Sequence, residues 1–352
     1  MITLISLAML LGAFSPLQKP LGAADIGGKM EVQSGVFYGN DLQTQFSGTS
    51  ELEFYLPSSQ DVDLRLVLRA SLNNTIPPLG IKYAYLRYHT NYGHITAGRQ
   101  PVSWSYGAML NPLDYGTSLD NFAGRSFAPE VDGFRVFFAL GERSSLQTVV
   151  SFPKAGLFSS PDALSYGARL RVPVPGHDIS TQVVYSKALL KTGITYSGDL
   201  GPAGIYAAAG YLRNTDDQTH DVVIQGGIDF SFQLGPEYEE KMLYLQAEYM
   251  RFLMNNLGSE VLGTGLLQQM LAGASVPSIN DLLALAATVE LSYFTQAGIA
   301  VITETSDWLT VVNPFITTEL RGGLELRIDA SVMRGPGGDF SYASGVQLSY
   351  YF

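Results

Sequence analysis

The chain has no cysteine in 352 residues, and only 15% of it is charged. Without cysteine there is no disulfide framework, no thiolate metal site and no cysteine nucleophile; the absence is compatible with export. Basic residues are scarce as well: 21 Lys+Arg stand against 32 Asp+Glu, a net charge of −11, which excludes a non-specific nucleic-acid binder. With 46% hydrophobic residues, 37 Gly and 20 Tyr, neither disorder nor a charged coiled coil fits the composition. Long apolar runs are missing beyond residue 24, so nothing there is long enough for a membrane-spanning helix.

The one apolar run is Ile2 to Phe14, the length of a signal-peptide core. Leu21-Gly22-Ala23-Ala24 supplies the small residues a signal peptidase needs, although no Lys or Arg precedes Lys19. Residues 1–24 are therefore read as a signal peptide, and residues 25–352 as one transmembrane β-barrel.

The dominant pattern beyond residue 24 is alternation. From Asp61 to Leu72, Val62, Leu64, Leu66, Leu68 and Ala70 share one face, while Asp63, Arg65 and Arg69 share the other. Arg135 is opposed in the same way to Phe134, Val136 and Phe138; Arg169 and Arg171 to Tyr166, Leu170 and Val172; and Glu325, Arg327 and Asp329 to Leu324, Leu326 and Ile328. Segments of about ten residues repeat this pattern between Gly, Pro, Asn and Asp punctuation, the signature of an antiparallel up-and-down barrel. The breaks give eighteen strands, with sixteen as the alternative. Short connections such as Asn91-Tyr92, Gly201-Pro202 and Arg321-Gly322 fall at one end, and two long insertions, Pro101 to Asp132 and Asn255 to Leu285, at the other. Spacing of Val261, Leu262, Leu266, Leu267, Met270, Leu271, Leu282, Leu283 and Leu285 suggests helical pieces in the second insertion.

The last residues carry the most specific pattern: Phe352 ends the chain, with Tyr350, Leu348 and Val346 on its face. This strand resembles the terminal strand of Gram-negative outer-membrane proteins, which implies recognition by the barrel assembly machinery. A second resemblance lies at Gly98-Arg99-Gln100, Trp104, Gly107 and Asn111-Pro112-Leu113-Asp114, with Asp307-Trp308, Asn313-Pro314 and Arg321-Gly322-Gly323 later in the chain. These positions are similar to those of porin-like outer-membrane barrels, in which a strand ending Gly-Arg-Gln precedes a Trp and an Asn-Pro-x-Asp turn. In this chain Ser105 and Tyr106 separate Trp104 from Gly107, a departure from that pattern. The resemblance implies a passive channel for small polar solutes or ions in the outer membrane of a Gram-negative-type bacterium, in contact with outer-membrane lipid, and compatible with a homotrimer.

In such a channel the Pro101 to Asp132 insertion is the expected inward-folded constriction, contributing Trp104, Tyr106, Asp114, Asp120 and Arg125. Arg65, Arg69, Arg135, Arg169 and Arg171 are expected to line the lumen opposite its carboxylates and set up a transverse field. The competing reading for Asn111 and Asp114 is an Asx turn around Pro112. Arg99 shares the parity of Ile95 and Ala97, so it is either turned inward by a bulge or placed at the membrane rim. Gln182, Asp229 and Glu248 are further lumen candidates, and Tyr83, Tyr85, Tyr88, Tyr92, Tyr206, Tyr211, Tyr249 and Tyr293 candidates for an interfacial girdle.

Two other classes compete. A non-conducting structural or adhesive barrel would favour larger external loops. An outer-membrane hydrolase would need its nucleophile or acid beside one of the four His, and His89, His94, His177 and His220 sit in no catalytic spacing. The run Asp216 to Asp221 could hold a cation, but a solvated loop is the better reading. No cofactor or metal is expected.

Overall fold

A computed structural model describes residues 25–38, 42–59, 61–72, 79–104, 106–115, 130–141, 143–152, 164–186, 188–235, 241–254, 256–258, 280–306, 309–335 and 338–352. The expected signal peptide, Asp120, Arg125, Asp307, Trp308 and most of the second insertion lie outside these residues.

Eighteen strands succeed one another: β1 (Asp25–Tyr38), β2 (Leu42–Ser59), β3 (Val62–Ser71), β4 (Leu79–Thr90), β5 (Gly93–Pro101), β6 (Glu130–Leu140), β7 (Ser144–Phe152), β8 (Ser165–Val174), β9 (His177–Ser186), β10 (Leu189–Leu200), β11 (Ala203–Asn214), β12 (His220–Leu234), β13 (Lys241–Phe252), β14 (Asp281–Ser292), β15 (Thr295–Glu304), β16 (Leu309–Arg321), β17 (Leu324–Arg334) and β18 (Phe340–Tyr351). Each pairs antiparallel with the next, and β1 also pairs with β18, so the sheet closes and has no edge. Eighteen, not sixteen, is the count. The closing seam is tight: the Gly28 N–H donates to the Phe352 carbonyl at 2.9 Å, and a Cβ on Gly28 would come within 2.5 Å of the Phe352 ring.

Alternation now has a physical direction. Leu64, Leu86, Ile95, Phe134, Phe138, Leu170, Ile194, Ile224, Ile299, Ile316, Ile328 and Val346 are all exposed and share the outward parity of their strands. Their neighbours in sequence, including Val67, Thr96, Val149, Gln182, Lys191, Gln225 and Glu248, are buried on the inward parity. A closed barrel that exposes apolar side chains outside satisfies every strand's backbone internally, the condition for crossing a bilayer with strands. Short turns close one end through left-handed glycines, among them Gly141, Gly176, Gly201 and Gly322, where a side chain would be strained.

Several expectations are corrected. β1 begins at Asp25, in a stretch where Gly27 and Gly28 interrupt any alternation. Leu282, Leu283 and Leu285 belong to β14 rather than to a helix: cross-strand pairing with β13 and β15 overrides their helix-like spacing. Tyr88, Tyr92, Tyr211, Tyr249, Tyr293 and Phe352 are exposed as a girdle requires, but Tyr85 and Tyr206 are buried on the inward parity. Tyr83 shares that side, with the Arg65 guanidinium 5.4 Å from its ring centroid.

Candidate functional site, a strap across the inner wall

Gly98 opens the region. Its φ of +118° and a missing Cβ that would lie 2.2 Å from the Ala84 carbonyl make glycine obligatory, which explains the Gly of Gly98-Arg99-Gln100. No bulge turns Arg99 inward, since β5 runs unbroken in both of its ladders. Arg99 instead keeps its outward parity near the long-loop end of β5. There it grips Asp132 with two hydrogen bonds of 2.8 and 2.7 Å and donates to the Ile81 carbonyl at 2.9 Å. Gln100 turns the other way and is buried, donating to the Thr96 and Gly133 carbonyls.

Beyond β5, residues 102–104 and 106–115 form a strap, most of whose large side chains are buried among those of inward parity on β7–β13. Val102, Trp104, Met109, Leu110, Leu113 and Tyr115 are all buried. Trp104 donates from Nε1 to Gln147 Oε1 at 2.7 Å and meets Tyr115 edge-on, their centroids 5.3 Å apart. Both rings rest on Gly167, where a Cβ would come within 2.7 Å of each. The Tyr115 hydroxyl pairs with Ser151 Oγ at 2.7 Å.

The turn Asn111-Pro112-Leu113-Asp114 is closed by the Asp114 N–H donating to the Asn111 carbonyl at 3.0 Å. Asn111 Oδ1 accepts the N–H groups of Tyr106 and Gly107, each at 2.8 Å. Asp114 accepts from the Trp104 N–H, from Ser103 Oγ at 3.0 Å and from the Tyr115 N–H at 2.6 Å. Burial pushes the Asp114 carboxyl up from its ordinary value, against the opposite pull of the Trp104 N–H and the nearby Lys191 ammonium. Asp114 thus holds the strap's own backbone together and does not present its carboxylate to the arginines. The reason is local, because donors within the segment reach it first.

Wall residues complete the attachment. Gln182 Nε2 donates to the Leu113 carbonyl at 2.7 Å, and Lys191 Nζ to the Asp114 carbonyl. The Tyr106 hydroxyl donates to Gln225 Oε1 at 2.7 Å. Glu248 accepts the N–H groups of Met109 and Leu110 at 2.5 and 2.8 Å. Of these wall anchors, Gln182 and Glu248 are legible in sequence as inward polar residues. Gln225 and Lys191 have the right parity but nothing in their local sequence marks them as anchors.

The arginines divide. Arg65 is neutralised by Glu53 at 2.6 Å, Arg69 by Glu51 at 3.1 Å and Glu130 at 2.6 Å, and Arg171 by Asp178 at 2.5 Å. Among the described residues no carboxylate lies within ion-pair distance of Arg87, Arg135 or Arg169; Arg169 donates to Ser180 Oγ at 3.2 Å. Under the strap, on its short-turn side, a cavity of about 760 Å³ is lined by Tyr106, Gly107, Arg171, Asp178, Tyr206 and Asp229, among others.

Solved structures share this architecture, three of them as follows. OccK11 (OpdR) of Pseudomonas aeruginosa superposes with a TM-score of 0.65 at 10% identity, covering 94% of this chain and 96% of that one. OccAB4 of Acinetobacter baumannii gives 0.62 at 8% identity over 96% and 100% of the two chains, and the outer membrane protein OpdK of P. aeruginosa 0.57 at 12% over 93% and 98%. The fold is that of Gram-negative outer-membrane barrels. At these identities the likeness concerns the fold alone. No family model and no curated protein matches the chain.

The imidazoles are engaged by their neighbours. His89 pairs with Asp63 at 2.8 Å, His177 with the Tyr196 hydroxyl at 2.7 Å, and His94 stacks on Phe137. Among the described residues no serine hydroxyl is hydrogen-bonded to an imidazole. The Asp216 to Asp221 run is taken up by the fold: Asp217 caps Thr219, and the buried Asp221 accepts the N–H groups of Val222, Met254, Asn256 and Leu257 at 2.8 to 3.1 Å.

Proposed function

We propose that this chain is an outer-membrane porin, a passive diffusion channel for small hydrophilic solutes or ions. The observation that carries this reading is the strap itself: inside a closed barrel, residues 102–104 and 106–115 are bound to the β7–β13 side, while the charged inward residues of β1–β4 remain partly exposed. A wall segment that narrows the barrel from one side is what a constriction requires. Arg87, Arg135 and Arg169 add positive charge with no carboxylate among the described residues at ion-pair distance, which favours anionic solutes. On this reading residues 1–24 are the export signal, Phe352, Tyr350 and Leu348 are presented to the barrel assembly machinery, and Asp120 and Arg125 belong to the remainder of the constriction.

Conductance of the refolded mature chain in a planar bilayer under a salt gradient tests the proposal. Discrete current steps with a reversal potential on the anion side are expected. A demonstrably folded barrel that carries no current would favour a structural or adhesive role instead.

A further inference from the structure

We propose that Glu248 is the positioning residue of the strap, and that with the glycine pair Gly193 and Gly210 it forms a two-part lock that sets how far the strap projects into the barrel. Only the consequence for conductance rests on the channel reading above.

The first part is the carboxylate. Glu248 is 1% exposed, and both of its oxygens are in use. Oε1 accepts the Met109 N–H and, at 3.1 Å, the Tyr206 hydroxyl; Oε2 accepts the Leu110 N–H and, at 3.0 Å, Gln225 Nε2. A buried carboxylate is costly unless its charge is met. Among the described residues no Lys or Arg pairs with Glu248, so the charge is met by two consecutive backbone N–H groups of the strap and two wall side chains. Tyr206 is aimed there because its ring lies across Gly227, where a Cβ would come within 2.1 Å. Gln225 ties the same point from the other side by donating to the Leu110 carbonyl at 2.5 Å.

The second part is a recess. Gly193 of β10 and Gly210 of β11 are direct cross-strand partners. A Cβ on Gly193 would lie 2.6 Å from Leu113 Cδ1, and one on Gly210 would lie 2.4 Å from Leu113 Cδ2. Mid-strand glycines weaken a sheet and are placed where something must approach the backbone closely. Here that something is Leu113, three residues beyond the Glu248 grip. Polar grip and apolar socket fix the strap at two separate points, so releasing one and filling the other have opposite consequences for pore width.

A chain without cysteine lets a single thiol report on the lock. Leu113→Cys is labelled with a water-soluble maleimide in otherwise native protein and in a Glu248→Ala background, with folding checked by heat-modifiable gel migration. Leu110→Cys serves as reporter if Leu113→Cys does not fold. Labelling is expected to be at least about tenfold faster without Glu248, the loss of several buried hydrogen bonds to a charged group. Single-channel conductance should rise in Glu248→Ala and fall in Gly210→Val, which displaces Leu113 while leaving the grip intact. Equal labelling rates in the two backgrounds overturn the lock, whether or not current flows, and so does a conductance that moves the same way in both variants. Faster labelling in a folded barrel that carries no current upholds the lock and removes the channel reading instead.

Discussion

Where the strap covers β7–β13 the inward wall is dry, whereas Arg171 and Asp178 nearer the short turns stay part-exposed. Trp104, Met109, Leu110 and Leu113 fill it, and polar groups there, from Gln147 to Glu248, bond to the strap. Along β1–β4 the same inward parity carries ion pairs instead: Lys29 with Glu31, Arg65 with Glu53, and Arg69 and Lys82 with Glu51. Side chains in the Arg65–Glu53 pair keep 32% and 37% exposure, enough for water to screen them. An inward polar residue can therefore be an anchor or a solvated charge, and strand periodicity does not separate the two. What separates them is whether a second segment lies over the wall.

The comparison can be broken first on the dry side. Trp104→Ala removes the largest side chain the strap buries, a change that costs about 3–5 kcal/mol in a well-packed site. The expected outcome is rapid proteolytic nicking between residues 101 and 132, with the barrel's gel migration unchanged. Resistance equal to that of the native protein would show that hydrogen bonds alone hold the strap. Gly167→Val should act at the same place more weakly, by roughly 1–3 kcal/mol, because the Trp104 and Tyr115 rings must shift to admit it. Its effect should vanish in a Trp104→Ala, Tyr115→Ala background.

At the inward arginines outside the strap's wall, on β3 and β6, the effects are electrical rather than structural. Arg135→Gln, which removes a guanidinium with no carboxylate partner among the described residues, should move the reversal potential toward cations. Arg65→Gln should move it less, since Glu53 already neutralises that charge, and should change unfolding stability by no more than about 1 kcal/mol. Equal shifts would mean that the ion pairs of β2 and β3 do not persist in the open lumen.

The smallest effect concerns pH. Asp114 has its carboxyl raised by burial, so through this group the docked strap binds more protons than a released one. Its contribution is fully present below the ordinary carboxylate value and is lost as pH rises through the raised one. Lys191, Arg169 and Tyr106 face it. In a Trp308→Phe background, which leaves Trp104 as the single tryptophan, fluorescence should stay blue-shifted on acidification from about pH 7 to about pH 5. A red shift on acidification would reverse the sign assigned to Asp114.

Much of this molecule is legible from local pattern. Period-two alternation marks the strands from Asp61 onward, because an outward side chain meets lipid and its neighbour does not. Breaks between the alternating runs give eighteen strands with sixteen as the alternative, and closure of the sheet decides for eighteen. The pattern also places Arg65, Arg69, Arg135, Arg169 and Arg171 inward, together with Gln182 and Glu248. It fails where the backbone obeys partners rather than neighbours: Leu282 to Leu285 carry helix-like spacing yet pair as β14, and Tyr85 and Tyr206 have the composition of girdle residues but the parity of the lumen.

The sequence by itself determined a closed, even-stranded barrel with an apolar exterior, since that arises from side chains one and two positions apart. Tertiary structure alone decided what the inward residues do. Met109 and Glu248 are 139 positions apart, and Leu113 meets two glycines whose only sequence signal is a missing side chain. Contacts of that range arise when a segment lies against the inward wall of a closed sheet, and no periodicity along a strand encodes which strands it will meet.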